Sequence, residues 1–246
     1  MPPSMIRLHI PQPLSPGAAI APRLDQSRYL TQVMRLKAGE ALRVFNGADG
    51  EWRCVIAEVL KKGVILRAEE QVRPQTASPD VELLMAVVKK APLEFAVEKA
   101  TELGVRRIRL IRTRRSTAEH LRLDRLDAIA EESAEQCGRL DVPPVEDPVK
   151  LDALLDGWQP ARRLLFCDET GGPDAAQTLA AQPRGPWSVL IGPEGGFAPE
   201  ERERLLALPF AVSVSLGPRI LRADTAAVAA LTLWQSALGD WSDAAS

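Results

Sequence analysis

Cysteine and histidine are scarce in this chain of 246 residues. The three cysteines, Cys54, Cys137 and Cys167, stand far apart and form no C-x-x-C pair. An odd, scattered set suits neither a disulfide framework nor a zinc knuckle, so they read as small buried apolar residues. His9 and His120 are the only imidazoles, too few nitrogen and thiolate ligands for a metal centre, and no metal is expected. No apolar run approaches the roughly 18 residues that crossing a membrane requires. The start, MPPSMIRLHIPQP, also lacks the long apolar segment of a secretory signal. Together these absences argue against a membrane protein and a secreted disulfide scaffold, and they place the chain in the cytoplasm.

What the chain does have is enough apolar residue, 46%, for a sizeable core, and an uneven distribution of charge. Its net charge is −2, yet residues 1–73 carry net +4 and the remainder net −6. Within that acidic remainder, residues 106–122 hold seven arginines against a single acid, Glu119. Local basic patches on a nearly neutral chain suit a protein that docks on phosphates at defined places.

Two organisations follow one another along the sequence. The first 70 residues alternate in strand fashion at 5–10, 41–46, 51–60 and 63–69, with Gly-containing turns between them and a helical stretch near 25–36. Residues 72–80, VRPQTASPD, have two prolines and no apolar periodicity and read as a linker, giving domains 1–72 and 80–246. From Val81 onward, apolar runs at 81–88, 107–111, 163–167, 187–191 and 211–216 alternate with helical stretches at 92–103, 122–137, 173–181, 199–208 and 223–238. That alternation predicts an α/β domain with a mostly parallel sheet. The last helix carries Val228, Leu231, Trp234 and Leu238 in one stripe, which serves either the core or an oligomer face.

The chemistry sits where strands run into helices. WSVLI (187–191) leads directly into GPEGGF and then APEER, and a Gly-rich turn at the carboxyl end of a strand is where open α/β sheets bind ligands. Pro193 has no N–H and Glu194 repels phosphate, while neither G-x-G-x-x-G nor G-x-x-x-x-G-K-[ST] occurs here. A cationic ligand without phosphate fits better, and the sulfonium of S-adenosylmethionine (SAM) is one. After AVSVSL comes a second such turn, GPRILRADTA, which places Arg219, Arg222 and Asp224 at or near the same cleft. The plainer alternative is that these arginines are solvated and Asp224 caps the helix with Thr225.

The pair IGPEGGFAPEE and SLGPRILRADTA closely resembles the two signature segments of the uracil-N3 methyltransferases of 16S rRNA, members of the SPOUT superfamily. VMRLKAGE, FNGADG, KATELGV, RRS (114–116) and AEQCGR extend the resemblance over nearly the whole chain. Three residues depart from the pattern: Ala198 in place of a common Ser, Asp224 in place of Glu, and Ala223 in place of Thr. The resemblance implies a PUA-like β-barrel followed by a SPOUT α/β domain with a C-terminal trefoil knot, a homodimer, and 16S rRNA of the small ribosomal subunit as substrate.

On that basis SAM is expected on Leu190, Ile191, Gly192, Glu194, Gly195 and Gly196 of the first loop, with Leu216, Gly217, Ile220 and Leu221 of the second. Arg222 is the candidate cation for the anion developing on uracil, Arg219 a phosphate or base contact, and Asp224 the residue that orients Arg222 or accepts a proton. Arg7, Arg23, Arg28, Arg35 and Lys37, with Arg112, Arg114 and Arg115, are the candidate grip on the RNA backbone. The rival readings are another SPOUT RNA methylation, such as ribose 2′-O transfer, a non-catalytic RNA-binding assembly factor, and a phosphate-binding Rossmann enzyme that Pro193 and Glu194 disfavour.

Overall fold

The structure, a computed structural model, describes residues 5–116 and 121–242; Glu119 and His120 lie outside the described residues. The chain divides into two compact units, Met1–Ala77 with Ala134–Val142, and Ser78–Ser133 with Pro143–Ser246.

Alternating side chains build the first unit. Its strands are β1 (Arg7–His9), β2 (Ala19–Ile20), β3 (Ala41–Phe45), β4 (Glu51–Leu60) and β5 (Gly63–Arg73), in the order β1-β3-β4-β5-β2. β1 pairs parallel with β3, and the remaining pairs are antiparallel. Leu42, Val44, Val64 and Leu66 fall on one face, as a two-residue period requires, and close a core with Leu8, Ile20, Leu30, Trp52 and Ile56. The edge strands β1 and β2 are only three and two residues long and do not pair with one another, so the expected barrel is an open five-stranded sheet. FNGADG is the β3–β4 turn: Gly47 and Gly50 take φ of 82° and 75°, and Asn46 Oδ1 accepts the N–H of both Ala48 and Asp49. The N–H of Leu14 and the amide of Asn46 hold the Asp49 carboxyl below its ordinary value. A short helix, α1 (Leu24–Arg28), runs on into one π-helical turn over Tyr29–Val33.

Residues 134–142 correct the domain boundary drawn from sequence, because Ala134, Leu140 and Val142 cluster on Phe45 in the first unit rather than packing in the second.

The second unit is a six-stranded, wholly parallel sheet in the order β11-β9-β10-β6-β7-β8. Its elements run β6 (Val81–Ala86), α2 (Lys90–Glu102), β7 (Arg107–Arg112), α3 (Leu123–Cys137), β8 (Val145–Lys150), α4 (Leu151–Asp156), β9 (Arg163–Cys167), α5 (Ala175–Ala180), β10 (Trp187–Ile191), α6 (Pro199–Leu206), β11 (Ala211–Val214) and α7 (Ala223–Leu238). The central strands β6 and β10 are buried at every residue and are apolar except for Glu82 and Ser188, whose hydroxyl donates to the Glu82 carboxylate. α7 packs on α2, α5 and β10. Leu231, Trp234 and Leu238 of its stripe are buried in the core and Val228 is half-buried, so the stripe faces inward. Gln235, fully buried, donates to the carbonyl of Leu103 at 2.6 Å and so latches the end of α2 to α7. No helix among the described residues is long and apolar enough to cross a membrane.

Candidate functional site

In this sheet the chain builds outward from β6 through β7 to β8, then returns on the other side with β9, β10 and β11. Loops at the carboxyl ends of strands beside such a reversal form the ligand crevice of an open α/β sheet. Here the ends of three neighbouring strands, β10, β9 and β11, feed loops that enclose a cavity of about 430 Å3, lined by residues within 167–172, 191–196 and 215–226. Its volume lies in the range of small-molecule sites.

Of the residues expected to hold SAM, Ile191, Gly192, Glu194, Gly196, Leu216, Gly217, Ile220 and Leu221 line this cavity. Leu190 and Gly195 do not. Leu190 is fully buried inside β10. Gly195 turns away, its carbonyl accepting from Arg115 Nη1 at 2.8 Å, and it has room for a Cβ. The constrained glycines are its neighbours. A Cβ on Gly192 would stand 2.6 Å from the ring of Phe197, which packs into the core against Phe166. Gly196 has φ of 68°, closes a turn through its N–H to the Pro193 carbonyl, and lies directly under the Glu169 carboxylate.

The wall at 167–172, Cys-Asp-Glu-Thr-Gly-Gly, escaped the sequence reading, although its position after the apolar run 163–167 matched that of the two Gly-Pro loops. Asp168 has a fully buried side chain. Its Oδ2 accepts from Arg202 Nε at 2.9 Å and pairs with Nη2 at 2.8 Å, and its Oδ1 accepts the N–H and hydroxyl of Thr170. Burial pushes the Asp168 carboxyl up, but the bonds from Arg202 and Thr170 outweigh it and leave the group below its ordinary value. Glu169 Oε1 accepts the N–H of Phe197 at 3.1 Å, joining this wall to the Gly-rich loop. Burial also raises the Cys167 thiol to about 12, leaving it un-ionised at neutral pH. Cys54 is buried too, whereas Cys137 is exposed, contrary to the expectation of three buried cysteines.

At the start of α7 the expected catalytic trio is only partly assembled. Arg219 lines the cavity, and both Arg219 and Arg222 are exposed, their guanidiniums with no hydrogen-bond or ion-pair partner among the described residues. Arg222 is the N-cap of α7. Asp224 Oδ1 accepts the N–H of Thr225 at 2.8 Å and makes no ion pair with Arg222.

Residues 76–235 match the RNA methyltransferase domain family, and residues 22–69 match the RNA methyltransferase PUA domain family. Over 228 residues the chain is 30% identical to the ribosomal RNA small subunit methyltransferase E of Rickettsia conorii, an alignment covering 92% of this chain and 93% of that protein. The chain belongs to the ribosomal RNA small subunit methyltransferase E family. A Neisseria gonorrhoeae protein of that name, solved bound to S-adenosyl methionine, superposes with a TM-score of 0.85 at 25% identity, over 96% of this chain and 99% of its own. A Legionella pneumophila protein solved with the bound cofactor SAM gives 0.86 at 30% identity, over the same shares. The methyltransferase E architecture is thus a PUA-like sheet domain and a parallel α/β methyltransferase domain of SPOUT type.

The basic residues of this methyltransferase E chain divide into two groups. Arg23, Arg28, Arg35 and Lys37 are exposed, Arg23 near Asp25 and Arg35 in left-handed backbone at φ of 57°. Arg7 is instead engaged within the first unit. It pairs with Glu51 at 2.5 Å and donates to the carbonyls of Ala134, Glu135 and Arg139, so the open end of α3 takes up its guanidinium. Arg112, at the end of β7, is exposed. Arg114 and Arg115 also brace their own protein: Arg114 pairs with Glu200 at 2.9 Å and gives its N–H to Glu201, and Arg115 holds Gly195.

Proposed function

We propose that this chain transfers a methyl group from SAM to N3 of a uridine in 16S rRNA, position 1498 in the usual numbering, within the small ribosomal subunit. The observation that carries this reading is the cavity at the carboxyl ends of β10, β9 and β11, whose lining fits SAM on three counts. Ile191, Leu216, Leu221 and Ala226 offer an apolar wall for a flat base. Glu169 and Glu194 suit a ligand of positive charge and disfavour a phosphate. Gly192 and Gly196 keep the loop in a shape that side chains would spoil.

When bound, SAM supplies a methyl group already activated on its sulfonium. The protein's tasks are then alignment, which contributes several kcal/mol in well-oriented reactions, and handling of the weakly acidic N3 proton. Arg222 and Arg219 have guanidiniums uncommitted among the described residues, and a guanidinium stabilises negative charge growing on the uracil oxygens as N3 loses its proton. Arg222 also sits at the positive end of α7, which adds to that effect. Asp224 retains Oδ2 for the proton, while the absence of an Arg222–Asp224 pair favours acceptance over orientation. Arg23, Arg28, Arg35, Lys37 and Arg112 serve the RNA backbone in this reading. A homodimer, a C-terminal trefoil knot and a cytoplasmic location belong to the same reading and are supported by the resemblance of the two C-terminal segments.

The test is methyl transfer from labelled SAM to small subunits lacking the modification, followed by nucleoside digestion and mass spectrometry. N3-methyluridine is the expected product. Arg222→Ala should lower the rate at saturating substrate more than about tenfold while SAM still binds. A different methylated nucleoside would reassign the target, and SAM binding without any transfer would favour an RNA-binding assembly factor.

A further inference from the structure

Among the ionisable side chains lining the cavity, three carry carboxylates: Asp168, Glu169 and Glu194. Their situations differ. The charge of Asp168 is matched inside the wall by Arg202. Glu194 is exposed on the turn and has no hydrogen bond or ion pair among the described residues to fix it. Glu169 is exposed as well, but it alone is anchored by a hydrogen bond while making no ion pair among the described residues. One oxygen accepts the N–H of Phe197 at 3.1 Å, the carboxylate lies pressed over Gly196, and no cation pairs with it among the described residues. Arg202, whose charge it feels, is committed to Asp168.

A carboxylate held in place at the wall of a cavity costs little to organise when a cation arrives, so its attraction appears in affinity rather than being spent on ordering a side chain. Cofactor and by-product differ in just this respect. In the transfer the methyl carbon bonds to the uracil nitrogen and the electron pair of the broken carbon–sulfur bond stays on sulfur. A sulfonium thereby becomes a neutral thioether, S-adenosylhomocysteine.

We propose that Glu169 is the residue by which this cavity distinguishes the cationic cofactor from its neutral by-product, holding the first and releasing the second. The inference rests on the assignment of the cavity to SAM. Even for an exposed carboxylate, a ligand charge about 4 Å away is enough to shift affinity by about tenfold.

The test is calorimetric titration of wild type, Glu169→Gln and Glu194→Gln with SAM, S-adenosylhomocysteine and sinefungin, which carries an ammonium in place of the sulfonium methyl. Wild type should bind SAM and sinefungin more tightly than S-adenosylhomocysteine. Glu169→Gln should lose about tenfold for the two cations and less than about threefold for the thioether, with an unchanged melting temperature. Equal losses for all three ligands would mean that Glu169 shapes the wall or bonds a shared group, and would overturn the proposal. So would a preference that survives in Glu169→Gln or disappears instead in Glu194→Gln. If wild type binds none of the three, the assignment of the cavity to SAM fails first, a result distinct from binding without discrimination.

Discussion

Single residues in the Gly-rich loop differ in what they tolerate, and the difference follows from neighbours distant in sequence. Gly196→Ala places a Cβ at φ of 68°, a left-handed conformation that costs an L-residue roughly 1–2 kcal/mol, and forces Glu169 off the N–H of Phe197. SAM affinity should fall by about tenfold. Gly195→Ala, whose methyl group would meet only ordinary van der Waals contact with the Arg115 side chain, should stay within about twofold, and titration of both variants checks the contrast. That a Gly-rich loop borders a cavity was legible in GPEGG, but not which glycine is constrained, because Phe197 packing and Glu169 contact are tertiary facts. The same limit explains Arg7. Its charge is plain in the sequence, whereas the three carbonyls that engage it become neighbours only when 134–142 pack onto Phe45. The wall at 167–172 was missed because Asp-Glu-Thr-Gly-Gly has no periodicity and no glycine spacing that singles it out.

At the scale of elements, the strands and helices flanking the cavity were readable from apolar runs and their spacing, including the parallel character of the second sheet. β8 and α4 were not. VEDPVK alternates poorly and contains Pro148, which a sheet accepts at an edge, and β8 is indeed the edge beyond β7. α4, six residues long, is too short to declare a period. The departure at Ala198 has a visible consequence in α6. Ala198 is the N-cap in extended backbone and supplies no side-chain acceptor, while Glu201, buried, reaches back to the N–H of Ala198 at 2.9 Å and to that of Arg114 at 2.8 Å. Half of a capping box is therefore in place. Ala198→Ser should complete it, adding about 1 kcal/mol and raising the melting temperature by about 2–4 °C in a thermal unfolding scan. No change or a decrease would show that the buried site resists the added hydroxyl.

For the whole molecule, charge arrangement matters more than charge number. A net charge of −2 gives no general attraction to RNA, so the proposed RNA binding rests on local patches, for which Arg23, Arg28, Arg35 and Lys37 are the candidates. Each phosphate contact releases counterions and steepens the dependence of log K on log salt by about 0.7–0.9. Arg35→Gln and Lys37→Gln should each weaken binding to small subunits and flatten that dependence by about one. Arg7→Gln should behave differently: it removes a guanidinium that neutralises buried Glu51 and satisfies three carbonyls, a loss of about 3 kcal/mol. Its melting temperature should drop by about 5 °C or more, with the salt dependence unchanged. Binding isotherms across a salt series, paired with melting curves of the same variants, separate the two kinds of arginine. A flattened salt response for Arg7→Gln without loss of stability would restore it to the RNA surface, and an unaltered response for Arg35→Gln and Lys37→Gln would move that surface off the segment that follows α1.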